Sequence, residues 1–117
     1  MSHVLVVDDA PEIVQFISAA LEVEGYTVTT AVDGRQAVDI ATQVRPDLIV
    51  LDMMLPRLDG HEVATEIRNV LGGVPILLIT ADGRAEEKAN RVGAVAYPPK
   101  PFDLHRLIAL VRRQVEP

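Results

Sequence analysis

Short apolar runs alternate with stretches of helical period along the whole chain. Val4-Leu5-Val6-Val7, Leu48-Ile49-Val50-Leu51 and Ile76-Leu77-Leu78-Ile79 are unbroken aliphatic runs. Runs of this length without a polar alternation read as strands covered on both faces. Tyr26 to Thr30 is a shorter β-branched candidate, and Ala94 to Tyr97 a fifth. Between them the period changes to that of amphipathic helices. Pro11 suits a first helical turn, where its missing N–H costs nothing, and Ile13, Phe16, Ile17, Ala20 and Leu21 fall on one predicted face. Glu22, Glu24 and Gly25 close that helix. Asp33 followed by Gln36 has the spacing of a reciprocal N-terminal cap, and Ala37, Ile40, Ala41 and Val44 continue the face. Pro46-Asp47 ends it.

Asp59 with Glu62 repeats the capping pattern before Val63, Ile67, Val70 and Leu71, and Gly72-Gly73 stops that helix before Pro75 opens the next strand. A short, weakly apolar helix is predicted between Ala85 and Val92. A last one carries Leu104, Leu107, Ile108 and Val111 on one face, with Val115 as a further contact. The sum is five strands and five helices in strict alternation, an open α/β sandwich. Right-handed crossovers bring the strand-to-helix loops to one side. Ligands in such folds bind beyond the C-terminal strand ends, where strand order reverses, here expected between the first and third strands.

Composition adds limits. The chain has 117 residues, enough for one domain spanning 1–117, and 49% of them are apolar. Cysteine is absent, which removes disulfides and thiolate metal sites and fits an intracellular protein. The apolar runs are too short to cross a bilayer, and no secretory signal is evident. A formal charge of -6 argues against direct binding of nucleic acid, although Arg112-Arg113 forms a local basic pair. No linker, repeat or DNA-binding module interrupts the pattern, so the chain is expected either to stand alone or to be a domain of a longer regulator.

The candidate chemistry lies where the strands end. The first run stops at Asp8-Asp9, the third at Asp52 and the fourth at Thr80, and the fifth is soon followed by Lys100. A lone strand-end Asp is ordinarily a cap, a lone Thr likewise, and a lone Lys is ordinarily solvated. Parallel strands in register would instead gather all five at one sheet edge. Clustered carboxylates raise one another's pKa unless a cation enters. An all-oxygen donor set suits Mg2+, with Mn2+ as a substitute. Zinc is unsuited, because no His or Cys sits at a predicted strand end: His3 lies at the opposite end of its strand, and His61 and His105 lie near helix starts. A strand-end Asp can attack a phosphoryl group and form an aspartyl-phosphate. Charge on the transferred group would be met by the cation, the Lys100 ammonium, the Thr80 hydroxyl and the Ala81 backbone N–H.

Val6-Val7-Asp8-Asp9, then Asp52-Met53-Met54-Leu55-Pro56-Arg57-Leu58-Asp59-Gly60, then Ile79-Thr80-Ala81, then Lys100-Pro101-Phe102 occur in this order. In this set the chain resembles the receiver domains of two-component response regulators, the flavodoxin-like CheY family, over essentially its whole length. The resemblance implies a doubly wound (βα)5 fold with a five-stranded parallel sheet in the order 2-1-3-4-5. It implies Asp52 as phosphoacceptor, Asp8 and Asp9 as the acidic pair around Mg2+, and the Met54 carbonyl as a backbone ligand. Thr80 and Lys100 would contact the phosphoryl group. Thr80 and Tyr97 would form the switch that alters the surface of the fourth helix, fifth strand and fifth helix; as a residue alone, Tyr97 serves equally as static core. The implied donor is a sensor histidine kinase or a histidine phosphotransfer protein. The implied receiver of the signal is a downstream protein target or output domain, with homodimer formation on phosphorylation left open. The chain would act in the cytoplasm, with no membrane and no direct nucleic acid partner. It would catalyse only its own phosphorylation and slow dephosphorylation.

Some features depart from the family pattern. Lys100 follows Thr80 by twenty positions, a spacing shorter than usual. Pro98-Pro99 removes two N–H donors and suits an edge strand. Lys100–Pro101 corresponds to a bond that is often cis in the family. Met54 and Asp82 stand where relatives tune attack by water; Met54 cannot orient a water, so moderately slow self-dephosphorylation is expected. Other classes fit less well. An adaptor that works without phosphorylation leaves the full set of five side chains unexplained. A phosphatase with an Asp nucleophile commonly needs a second acid where this chain has Met54. A nucleotide-binding fold lacks its Gly-rich turn after the first strand.

Overall fold

The computed structural model describes residues 2–52, 60–79 and 104–115. In chain order these form β1 (His3–Val7), α1 (Pro11–Val23), β2 (Thr27–Ala31), α2 (Gly34–Val44), β3 (Leu48–Asp52), α3 (Gly60–Leu71), β4 (Ile76–Ile79) and α4 (Leu104–Val115). The strands make one parallel sheet in the order β2-β1-β3-β4. Strand order reverses between β1 and β3, as the sequence leads one to expect. The predicted fifth strand and the helix before it lie outside the described residues, and α4 is the fifth helix of the sequence pattern.

The aliphatic runs split by alternation between two cores. Leu5, Val7, Ile49, Leu51, Ile76 and Leu78 pack with α2 and α3. Val4, Val6, Leu48, Val50, Leu77 and Ile79 pack with α1 and α4. Both sheet faces are therefore covered, which is why these strands carry no polar alternation. In α4, Leu107 and Val111 are fully buried and Ile108, Leu110 and Val115 pack against the same core; Leu104 is described by its backbone.

Several turns follow directly from residue chemistry. α1 ends in a Schellman motif: Gly25, at φ +97°, donates to the Glu22 carbonyl, and Tyr26 donates to that of Leu21. Tyr26 then buries against the core that holds Leu21. Tyr26 is thus part of the helix stop, and β2 begins one residue later than its β-branched pattern predicts. At α2, Asp33 accepts from the Gln36 N–H at 2.8 Å. Arg45 closes α2 in the left-handed region at φ 48°, donating to Ala41.

Two helix faces differ from the predicted ones. The buried stripe of α1 is Val14, Ile17, Ser18 and Leu21, while Ile13 is 42% and Phe16 60% exposed. The helix is turned by a little under one residue step. Its phase is set by the turn before it, where the Ala10 carbonyl takes both the Ile13 and Val14 N–H groups. In α3, Val63, Ala64 and Ile67 are buried but Val70 is 45% exposed. This helix shares a core with Ala37, Val38 and Ala41 of α2 as well as with the sheet. Its contact face therefore swings toward α2 and takes in Ala64.

Candidate functional site

The site is built at the C-terminal ends of β1 and β3. The register pairs Val7 with Leu51, so Asp8 and Asp52 are the next residues of adjacent parallel strands. Asp52 in turn pairs with Ile79, the last described residue of β4. Asp52 is described by its backbone. Thr80, which follows Ile79 in sequence, lies outside the described residues, as do Met54, Ala81, Asp82, Tyr97, Lys100 and Pro101. His3 is at the far end of β1, as expected, with its N–H held by the Asp47 carboxylate at 2.8 Å and its ring against the Thr29 hydroxyl. His105 is exposed in the first turn of α4.

Asp8 is 7% exposed, the one buried carboxylate among the residues whose side chains are described. Its Oδ1 accepts the Ala10 N–H at 2.9 Å, a side-chain turn of the kind Asp forms two residues ahead. Its backbone N–H reaches the Ala31 carbonyl at 3.2 Å and extends the β1–β2 ladder by one rung. Burial raises the Asp8 pKa above its ordinary value of 3.8, and the Asp9 carboxylate beside it pushes the same way; the Ala10 N–H opposes them. Asp9 itself is exposed. A carboxylate held where its anion is disfavoured, with a second carboxylate at its side, fits a hard divalent cation. Among the described residues no three His, Cys, Asp or Glu side chains converge. The structure thus brings together Asp8, Asp9 and the strand position of Asp52.

The Ala10 N–H and the Ala31 carbonyl were not anticipated as supports of Asp8. Only the strand endings and the Asp33–Gln36 spacing were visible in the pattern. Backbone groups carry no residue signature, so the chain gives no direct sign of them.

The family model for the response regulator receiver domain matches residues 4–112. The chain belongs to that family. Receiver domains of two-component response regulators are phosphorylation-dependent signalling modules, and this chain is one of them. It is 42% identical over 112 residues to the response regulator MprA of Mycolicibacterium vanbaalenii, covering 94% of this chain and 48% of that protein. The receiver domain therefore spans about half the length of the curated relatives it matches. Among solved structures, the chemotaxis protein CheY4 of Vibrio cholerae superposes with a TM-score of 0.88 at 36% identity, covering 97% of this chain and 98% of that one. The receiver domain of the sensor histidine kinase PA1611 from Pseudomonas aeruginosa gives a TM-score of 0.88 at 34% identity, covering 99% and 98%. That protein was solved with a magnesium ion coordinated in its active site cleft. Among the described residues of this receiver domain, no helix is long and apolar enough to cross a membrane.

Proposed function

We propose that Asp52 accepts a phosphoryl group from a phosphohistidine on a sensor kinase or phosphotransfer protein. The observation that supports this best is the β1–β3 register, which sets Asp52 level with the buried Asp8. In the transfer, an Asp52 carboxylate oxygen forms a bond to phosphorus. The bond from phosphorus to the donor imidazole breaks, and its electron pair returns to the ring nitrogen. Asp8, Asp9, Asp52 and the Met54 carbonyl would hold Mg2+, or Mn2+ in its place. When bound, the ion neutralises charge on the phosphoryl oxygens. The Lys100 ammonium, the Thr80 hydroxyl and the Ala81 N–H meet the remaining charge.

The phosphoryl group adds up to about two negative charges and three acceptor oxygens. Thr80 turns toward them, Tyr97 moves into the space it leaves, and the surface made by a fifth strand (next to β4 in the order 2-1-3-4-5), the helix before it and α4 changes. A downstream target or output domain, or a second copy of the domain, reads that surface. The unit is a single receiver domain over residues 1–117. It catalyses its own phosphorylation and slow dephosphorylation, tuned at Met54 and Asp82, and turns over no other substrate. It acts in the cytoplasm. A cis Lys100–Pro101 bond would aim the amine.

The test is direct labelling. With Mg2+ and acetyl phosphate or a phosphohistidine donor, the native chain should take up one phosphoryl group that hydroxylamine removes. Asp52→Ala should take up none. Equal labelling of Asp52→Ala, or no labile adduct with any donor, would overturn the assignment. A phosphoryl half-life of seconds would overturn the slow-dephosphorylation part alone.

A further inference from the structure

Gln36 makes two bonds in opposite directions. Its backbone N–H goes to the Asp33 carboxylate at 2.8 Å, and its own Oε1 accepts the Val32 N–H at 2.8 Å. In the usual reciprocal cap the returning side chain takes the N–H of the capping residue itself. Here it reaches one residue further back, into the loop between β2 and α2. The residue before Val32 is Ala31, whose carbonyl holds the Asp8 N–H. Ala31 also stands opposite Val7 in the last pair of the β1–β2 register. Within the described sheet β2 is the outer strand. Its end is thus secured by β1 on one side and by Gln36 beyond.

We propose that Gln36 is a positioning residue for the acidic pair: by fixing Val32 it fixes the Ala31 carbonyl, and through it the backbone of Asp8 and Asp9. The inference rests on reading those two acids as cation ligands. Mg2+ demands near-ideal octahedral geometry, so small displacements of a ligand weaken binding. The Asp8 carboxylate is already oriented by the Ala10 N–H. What Gln36 adds is the placement of the main chain from which that carboxylate projects.

Gln36→Ala retains a strong helix former and the backbone N–H that Asp33 caps, and it deletes the Val32 bond. Gln36→Glu keeps the acceptor and puts a carboxylate in the first helical turn, where it is favoured. Gln36→Asn is too short to reach and serves as a second deletion. Each is compared with wild type well below its thermal transition, by amide hydrogen exchange without metal and by calorimetric Mg2+ titration. Gln36→Ala and Gln36→Asn should speed exchange at Asp8 several-fold while the last turns of α2 stay protected. Their Mg2+ Kd should rise about three- to tenfold, below the 10–100-fold typical of residues that bond a ligand directly. Gln36→Glu should restore both. A lowered Tm with Asp8 exchange and Mg2+ Kd at wild-type values would overturn the proposal. If the wild type itself bound no Mg2+, the cation reading would fall instead, and exchange at Asp8 would still decide whether Gln36 holds that backbone.

Discussion

Val7 and Leu51 are register partners across the β1–β3 ladder. Two neighbouring strands, about 4.8 Å apart, therefore run out at one level into Asp8 and Asp52. In the next ladder Asp52 itself is paired, opposite Ile79. Strand packing sets this edge, because every residue paired across the β1–β3 ladder is buried in one of the two cores. The chemistry is then a matter of which residues follow the last buried pair.

The first prediction concerns the charge on Asp8. Its native pKa is raised, chiefly by burial. The native state then binds a proton more tightly than the unfolded chain does. Stability from this group is full below the unfolded value of 3.8 and is lost as pH rises through the higher native value. Relative to the unfolded chain, ionising Asp8 is a net cost in the metal-free protein. Asp8→Asn keeps an acceptor for the Ala10 N–H and removes that cost. Thermal unfolding in the presence of a chelator should show Asp8→Asn more stable than wild type at pH 7. The gain should shrink as the pH falls toward 3.8. Equal pH profiles for the two proteins would refute it.

Mg2+ should reverse the order of those two proteins. A ligand that binds only the folded state stabilises by about 2.7 kcal/mol at a hundredfold excess over its Kd. Wild type should gain accordingly as Mg2+ is raised in calorimetric scans. Asp8→Asn should gain little, since it has lost a charged ligand. Equal gains in both would remove Asp8 from the cation site.

The fold was largely legible because three strands are unbroken aliphatic runs, each ending at a polar residue. A strand buried on both faces has no phase to misread. Helices do. In α1, apolar residues cover both the true stripe through Val14 and Leu21 and the flank carrying Ile13 and Phe16. Periodicity alone could not choose between them, because the choice is made by the hydrogen bonds of the Ala10 carbonyl. In α3 the choice between Ala64 and Val70 depends on the neighbouring α2, which no local pattern encodes. At the site, Asp8 and Asp9 could be placed from the strand ending. The burial of Asp8 and its Ala10 bond depend on how the chain turns into α1, and the Gln36 bond to Val32 departs from the standard cap by one residue.

The buried stripe of α1 contains a polar exception that yields a third prediction. Ser18 is buried and its Oγ has no hydrogen-bond partner among the described residues. Such a hydroxyl carries its desolvation penalty, about 1–3 kcal/mol, without return. Ser18→Ala should therefore leave stability unchanged or raise it by about 1 kcal/mol. Leu21→Ala, less than one turn away on the same stripe, should cost about 2–5 kcal/mol, because Leu21 is fully buried. Urea unfolding of both variants gives the comparison. A clear loss of stability in Ser18→Ala would mean that the hydroxyl has a partner in solution, such as a bound water.

The last prediction separates backbone strain from packing at the end of α1. Gly25 sits at φ +97°, and a Cβ built there would meet nothing within 4 Å. Any cost of Gly25→Ala must then come from the backbone. Left-handed conformations cost an L-residue about 1–2 kcal/mol, so Gly25→Ala should destabilise by that amount. Because Gly25 and Tyr26 donate the two bonds that close the helix, relaxation of the turn would be visible as faster amide exchange at both positions. The carboxylate edge lies at the other end of β1, so Mg2+ affinity of the folded variant should stay at the wild-type value. A stability loss accompanied by weaker Mg2+ binding would show that the helix stop and the cation site are coupled through α1.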